Sequence, residues 1–191
     1  DIYGIKYPAC FNPNLVDFSG RAIDFSNFSL VEGLRWRHIE NASDISGVVF
    51  PSSFDVSNAN FFGRSLRSCD FSAVYALRWK HLEPAEDIVA VKYPATFDIE
   101  DADFGARNIS GSDFSLVSRL QWSHIAKADD IRGVRYPAAY DPAEADYSGR
   151  DISGSDFSLV SRLRWEHISE ATGFENIIYP AEFDFENADF R

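Results

Sequence analysis

No methionine occurs anywhere in the 191 residues, and the first residue is Asp1, so the chain is expected to be an excised or processed piece of a longer protein. Basic residues are scarce: 18 Lys and Arg face 30 Asp and Glu, leaving a formal net charge of -12. That balance excludes a general nucleic-acid binder, which needs a basic stripe to displace counterions from phosphates. No apolar run approaches the roughly 18 residues that cross a bilayer, and the N-terminus shows no basic-then-apolar leader. Neither GxxxxGK, GxSxG nor HExxH occurs, which removes the commonest phosphate-loop, serine-hydrolase and zinc-protease signatures. What is present is 45 % hydrophobic and 15 % aromatic, too apolar to stay unfolded.

All four tryptophans and all four histidines lie in one recurring hexapeptide: LRWRHI, LRWKHL, LQWSHI and LRWEHI. Trp36, Trp79, Trp122 and Trp165 are each 43 residues apart, and so are His38, His81, His124 and His167. Pro8, Pro51, Pro94, Pro137 and Pro180 keep the same step. Such self-similarity decides architecture before any local signal does. The repeats are read as 1–43, 44–86, 87–129, 130–172 and a partial 173–191, forming one domain over 1–191. The last segment restarts the unit without completing it, which a closed ring could not seat and an open stack accommodates. Cys10 and Cys69 fall at different places in the repeat, where the other copies carry Ser, Thr, Ala or Glu at the first and Ser at the second. Neither a disulfide framework nor a metal site follows.

Within each unit a large apolar residue returns at five-residue steps: Phe18, Ile23, Phe28; Phe61, Leu66, Phe71; Phe104, Ile109, Phe114; Tyr147, Ile152, Phe157. Small and acidic residues precede many of them, as in Ala102-Asp103-Phe104 and Ser155-Asp156-Phe157. These strings resemble the pentapeptide-repeat family. The resemblance implies an all-β fold, a right-handed four-sided β-helix solenoid with one pentapeptide per side. An inward series runs on from Phe114 through Leu120, Ile125, Ile131, Tyr136, Tyr140, Tyr147 and Ile152 to Phe157, eight sides and therefore about two coils per 43-residue repeat. Asp and Asn at these places suit hydrogen bonding to turn amides.

Two features depart from the family pattern. SLVSRLRWEHI reads as a strand through Leu163, Trp165 and His167, or as a short helix through Val160, Leu163 and His167 with Ser158 as cap. Arg21, Arg64, Arg107 and Arg150 stand where the family has a small inward residue, and they are expected to bend outward or to pair with the Asp rows, because an unpaired buried guanidinium is costly.

If Leu34, Leu77, Leu120 and Leu163 face inward, the Trp and His rows tend outward beside Arg35, Arg78 and Arg164. A rigid wall of Trp36, Trp79, Trp122 and Trp165 flanked by His38, His81, His124, His167 and these arginines is a candidate partner-binding face. The competing reading has the tryptophans packing back as structural staples copied by duplication. Histidines two coils apart would be about 10 Å apart, too far to share a metal held at about 2 Å. No cofactor, metal or catalytic residue is assigned, and acids such as Glu100, Asp101, Asp103, Asp98 and Asp141 are read as turn residues. The expected function is a non-enzymatic protein-interaction or scaffolding module with a protein partner and no direct nucleic-acid contact, soluble, with solenoid ends able to pair as a homodimer. The resemblance adds a bacterial setting, cytoplasmic or secreted into a host cell beside an effector domain. Alternatives are an acidic DNA-mimicking topoisomerase inhibitor and a carbohydrate-binding or glycan-processing solenoid.

Overall fold

The computed structural model describes residues 2–189. Two compact units divide it, Asp1–Asp98 and Ile99–Arg191, and the division falls inside the third repeat. In the first unit Lys6, Asn27, Val49, Asp70 and Lys92 are joined in turn by parallel bridges between residues 21 or 22 apart. A second set joins Ala22 to Asp44 and Ser65 to Asp87, and a third joins Arg35 to Asp55 and Arg78 to Asp98. The second unit repeats this through Asp113, Arg135, Asp156 and Ile178, with Asn108 on Asp130 and Asp151 on Gly173. Within each unit the backbone thus returns over itself once per half repeat.

The expected all-β, four-sided β-helix solenoid of pentapeptide-repeat type does not form. Among the described residues the bridges are isolated, no sheet is present, and the regular elements are helical. They are the single turns α1 (Trp36–Ile39), α2 (Trp79–Leu82), α3 (Trp122–Ile125) and α4 (Trp165–Ile168), with 3₁₀ turns at Pro13–Leu15, Val56–Asn58 and Pro142–Glu144. The reason lies in the short step. Each flat stretch offers one bridging residue: Phe28 N–H donates to Val49 C=O and Val49 N–H to Ser26 C=O, around Asn27. The chain then turns, so no ladder of consecutive pairs can grow. Left-handed residues enforce the turning, with positive φ at Gly4, Phe25, Gly47, Ser68 and Ala90 of the first unit. The choice left open at 158–168 resolves into a helix confined to Trp165–Ile168.

The core is side-chain rather than backbone in character. Every member of the expected inward series is buried, from Leu120 and Ile125 to Ile152 and Phe157. So are Phe18, Ile23, Phe28, Phe61, Leu66 and Phe71. Aromatic pairs at one repeat position stack face to face: Tyr7 on Phe28 at 4.5 Å and 9°, Phe50 on Phe71 at 4.6 Å and 7°, Tyr136 on Phe157 at 4.4 Å and 6°. Cys69 takes the place of Ser26, Ser112 and Ser155, all buried. Its Sγ lies 3.3 Å from the Ile45 carbonyl as a donor, and burial pushes the thiol up to about 12.

One corner carries an outlier. Phe25 holds φ 55° where Gly4 and Gly47 occupy equivalent corners, and a large side chain there is strained. Its ring covers Gly47, whose own φ is +68° and whose added Cβ would lie 2.4 Å from Phe25 Cδ1. Gly47→Ala is therefore expected to destabilise the fold by about 1–2 kcal/mol, from the left-handed backbone and the displaced ring together. A urea titration measures it, and an unchanged midpoint would contradict the packing described.

Candidate functional site

Each repeated hexapeptide folds as an extended Leu, an N-cap residue and one helical turn. In such a turn residues three apart share a face, which sends Trp36 with Ile39 and Trp79 with Leu82 inward. Trp36 is 8 % exposed and Trp79 is 7 % exposed, while Trp122 and Trp165 are half-buried. Trp36 meets the edge of Phe61 at 5.1 Å and 80°, Trp122 meets Tyr147 at 4.9 Å and 61°, and Trp165 lies 5.4 Å from Phe174. Trp36 and Trp122 therefore each pack on an aromatic ring of the next winding, 25 residues on, whereas Trp165 packs on a ring nine residues on. Arg35, Arg78 and Arg164 are exposed, and His38, His81, His124 and His167 are half-buried.

The histidines have one geometry in all four copies. The backbone N–H of Arg35 donates to His38 Nδ1 at 3.0 Å, Arg78 to His81 at 3.1 Å, Gln121 to His124 at 3.0 Å and Arg164 to His167 at 3.1 Å. This is the N3 half of a capping box, with imidazole in the role usually given to Glu or Gln. Arg and Gln at the N-cap supply no Ser- or Thr-like acceptor, and the His38 N–H donates to the Arg35 carbonyl instead, at 3.0 Å. A histidine three residues after the N-cap was the sequence signal for this role. Burial chiefly holds the His38, His81 and His124 rings below the usual imidazole range. Arg37 and Arg35 add to it at His38, and Lys80 and Arg78 at His81.

The arginine row does something the sequence did not disclose. Arg64 Nη2 donates to the Ala42 carbonyl at 2.6 Å, and Arg150 donates through Nη1 to Ala126 at 2.8 Å and through Nη2 to Ala128 at 2.5 Å. Ala126 is the C-cap of α3, so Arg150 serves the C-terminal end of that turn from the next winding, while Ala42 and Ala128 lie in the segments that follow α1 and α3. The expected pairing with Asp is replaced at these two arginines by pairing with backbone.

Carboxylates are mostly occupied by turns. Asp17, Asp44, Asp55, Asp70, Asp113, Asp141 and Asp156 each accept the amide two residues on at 2.8–3.1 Å through Oδ1. The hydrogen bonds from Ser19, Ser57, Ser148 and Ser153 hold Asp17, Asp55, Asp146 and Asp151 below the usual carboxylate range. Asp103 caps Gly105, and Glu100 pairs with Arg119. Further acids are neutralised by Arg67 on Asp87, Lys92 on Asp70, and Arg135 on Asp156. No group of three His, Cys, Asp or Glu suited to a metal ion occurs among the described residues.

Two open clefts border the hexapeptide. One, of about 360 Å³, lies between α1 and the following 3₁₀ turn and is lined by Arg35, Trp36, Arg37, Glu40, Asp55 and Asn58. The other, of about 380 Å³, lies three repeats on in the second unit, where Arg164, Trp165, Glu166, Asp184 and Asn187 occupy the equivalent places. The residue after Trp is basic in the first two copies, Arg37 and Lys80, then Ser123 and Glu166. No helix among the described residues is long and apolar enough to cross a membrane. No protein-family model and no curated protein matches the chain.

Proposed function

We propose that the chain is a non-enzymatic interaction module whose repeated clefts beside the hexapeptide receive polar and charged side chains of a protein partner. The observation that carries this reading is recurrence: the same cleft, with Arg at the N-cap, Trp at its base and Asp and Asn on the opposite wall, arises in both units. A ligand that engages several repeats gains from effective concentration more than from any one contact. The residue after Trp is Arg37 in one cleft and Glu166 in the other, which would give the two clefts opposite charge preferences. Turn duty and ion pairing of the acids weigh against general acid–base chemistry, and the interleaved Arg–Asp pairs weigh against a uniformly acidic mimic of duplex DNA.

Panning a displayed random-peptide library on the folded chain tests this. Enriched peptides are expected to lose at least tenfold in affinity with Arg37→Glu or Glu166→Lys, and little with Arg119→Ala, whose side chain is outside both clefts. Peptides indifferent to both cleft variants would overturn the reading. A glycan array run beside it separates a carbohydrate ligand from a peptide one.

A further inference from the structure

Each of the four histidines accepts a backbone hydrogen bond at the start of its own helical turn. In each copy the N-cap amide points its hydrogen at Nδ1, at 3.0–3.1 Å. Only a ring with a lone pair on Nδ1 can accept that bond, so the fold selects the neutral Nε2–H tautomer. At His38 the second ring nitrogen, Nε2, lies 3.1 Å from Asn14 Oδ1 and 3.4 Å from Arg37 Nε, so the tautomer set at Nδ1 pairs Nε2–H with Asn14 and turns it against the Arg37 donor. Protonation puts a hydrogen on Nδ1, facing the N–H of Arg35, Arg78, Gln121 or Arg164. An attraction then becomes an opposition of two donors.

Besides this bond, the start of α1 is held by His38 N–H on the Arg35 carbonyl and by the bridge of Arg35 to Asp55. α1 to α4 are four residues each, with backbone closures such as Glu40 N–H on Trp36 C=O at 2.8 Å. A one-turn helix bears the cost of nucleation for very few bonds, and losing the N3 acceptor takes from the N-cap amide its side-chain partner. The tryptophan whose indole fills the space against the next winding is the first residue of the same turn. Melting the turn frees that indole.

The charges facing the rings differ between copies, cationic at the first two and acidic at the last two. Arg35 and Arg37 face His38, whose neighbour from the preceding winding is the uncharged Asn14. Arg78 and Lys80 face His81, opposed by Asp55 from the preceding winding. Glu100 faces His124, and Glu166 lies 3.9 Å from His167 Nε2 beside the N-cap Arg164. Where the folded ring titrates below the unfolded one, the unfolded chain binds more protons over the interval, so stability is full above about pH 6.5 and falls as pH drops toward the folded value. The carboxylate turns hold until roughly pH 4, which leaves a window between there and the usual imidazole range for the His38, His81 and His124 turns.

We infer that this chain carries a built-in pH switch, in which protonation of His38, His81 and His124 at Nδ1 unlatches α1, α2 and α3 and frees the tryptophan that opens each of these turns. The switch would govern the clefts of the proposed function, but its test needs no partner and stands apart from that reading. Tryptophan emission and acrylamide quenching are followed from pH 7.5 to 4.5 for the unaltered chain and for the fourfold variant His38→Gln, His81→Gln, His124→Gln, His167→Gln. Gln at N3 accepts the same amide without titrating. The unaltered chain is expected to show a red shift and a several-fold rise in quenching across the window, and the variant a flat response. Flat emission in the unaltered chain, or an equal shift in the variant, would overturn the switch. Should the fourfold variant not fold, ¹⁵N shifts of the imidazoles at pH 7.5 decide: all four must be Nε2–H, and a ring protonated at Nδ1 removes the latch.

Discussion

Phe71→Ala is expected to lower the unfolding free energy by about 3–5 kcal/mol, the largest single-residue effect foreseen in this chain. Phe71 is fully buried, stacks on Phe50 at 4.6 Å and meets the face or edge of Phe61 at 5.9 Å and 68°. Its backbone sits beside the isolated bridge of Asp70 to Val49. Where bridges are isolated, packed side chains must supply the cohesion between windings that a ladder would supply in a sheet, and the cavity left by a phenyl ring is not refilled by rigid neighbours. Urea denaturation reads the loss. Phe62→Ala, one residue from buried Phe61 but 77 % exposed, is the control and should stay within about 0.5 kcal/mol. Equal losses at Phe71 and Phe62 would show that the five-residue aromatic rows do not form the core.

Arg150→Met is expected to cost about 2–3 kcal/mol, since hydrogen bonds from a charged donor contribute about 1.5–3 kcal/mol each and part of that is offset by solvent at a half-buried site. Met retains most of the stem and removes only the fork that serves Ala126 and Ala128. Arg150→Lys should recover less than half of the loss, because one ammonium on a flexible stem does not reproduce the guanidinium geometry. Amide exchange at the residues closing α3 is expected to quicken along with the fall in stability. A neutral Arg150→Met result would mean that water satisfies those carbonyls equally well.

The five-residue aromatic steps and the inward series from Leu120 to Phe157 are legible in the sequence, because large apolar residues recurring at a fixed interval must be kept from water on one shared side of the chain. Turn duty for Asp and Asn is legible for the same kind of reason: the side chain and the amide it serves are two residues apart. The backbone state is not. Phe104, Ile109 and Phe114 say which side chains go inside, and they are silent on whether the residues between them pair in succession or singly. That depends on the left-handed corners, and Phe25, Ser68 and Ala90 adopt positive φ with no glycine to announce it. The hexapeptide is ambiguous because Leu163, Trp165 and His167 alternate as a strand does while His167 stands at the N3 place of a cap. Arg64 and Arg150 could not be placed, since their acceptors are main-chain carbonyls 22 or 24 residues earlier, and carbonyls leave no mark in a sequence.

Asp44 bridges Ala22, and Asp87 bridges Ser65, one repeat further on. Excising residues 44–86 as a block would bring Asp87 opposite Ala22 and Lys92 opposite Asn27, with helical and 3₁₀ windings still alternating. Excising one winding alone would set two of a kind against each other and strand Trp36 without the space that Phe61 now edges. Length in such a protein is therefore a counted quantity rather than a continuous one. A change in length by one whole repeat keeps each of these bridges matched in kind, whereas a change by half a repeat does not.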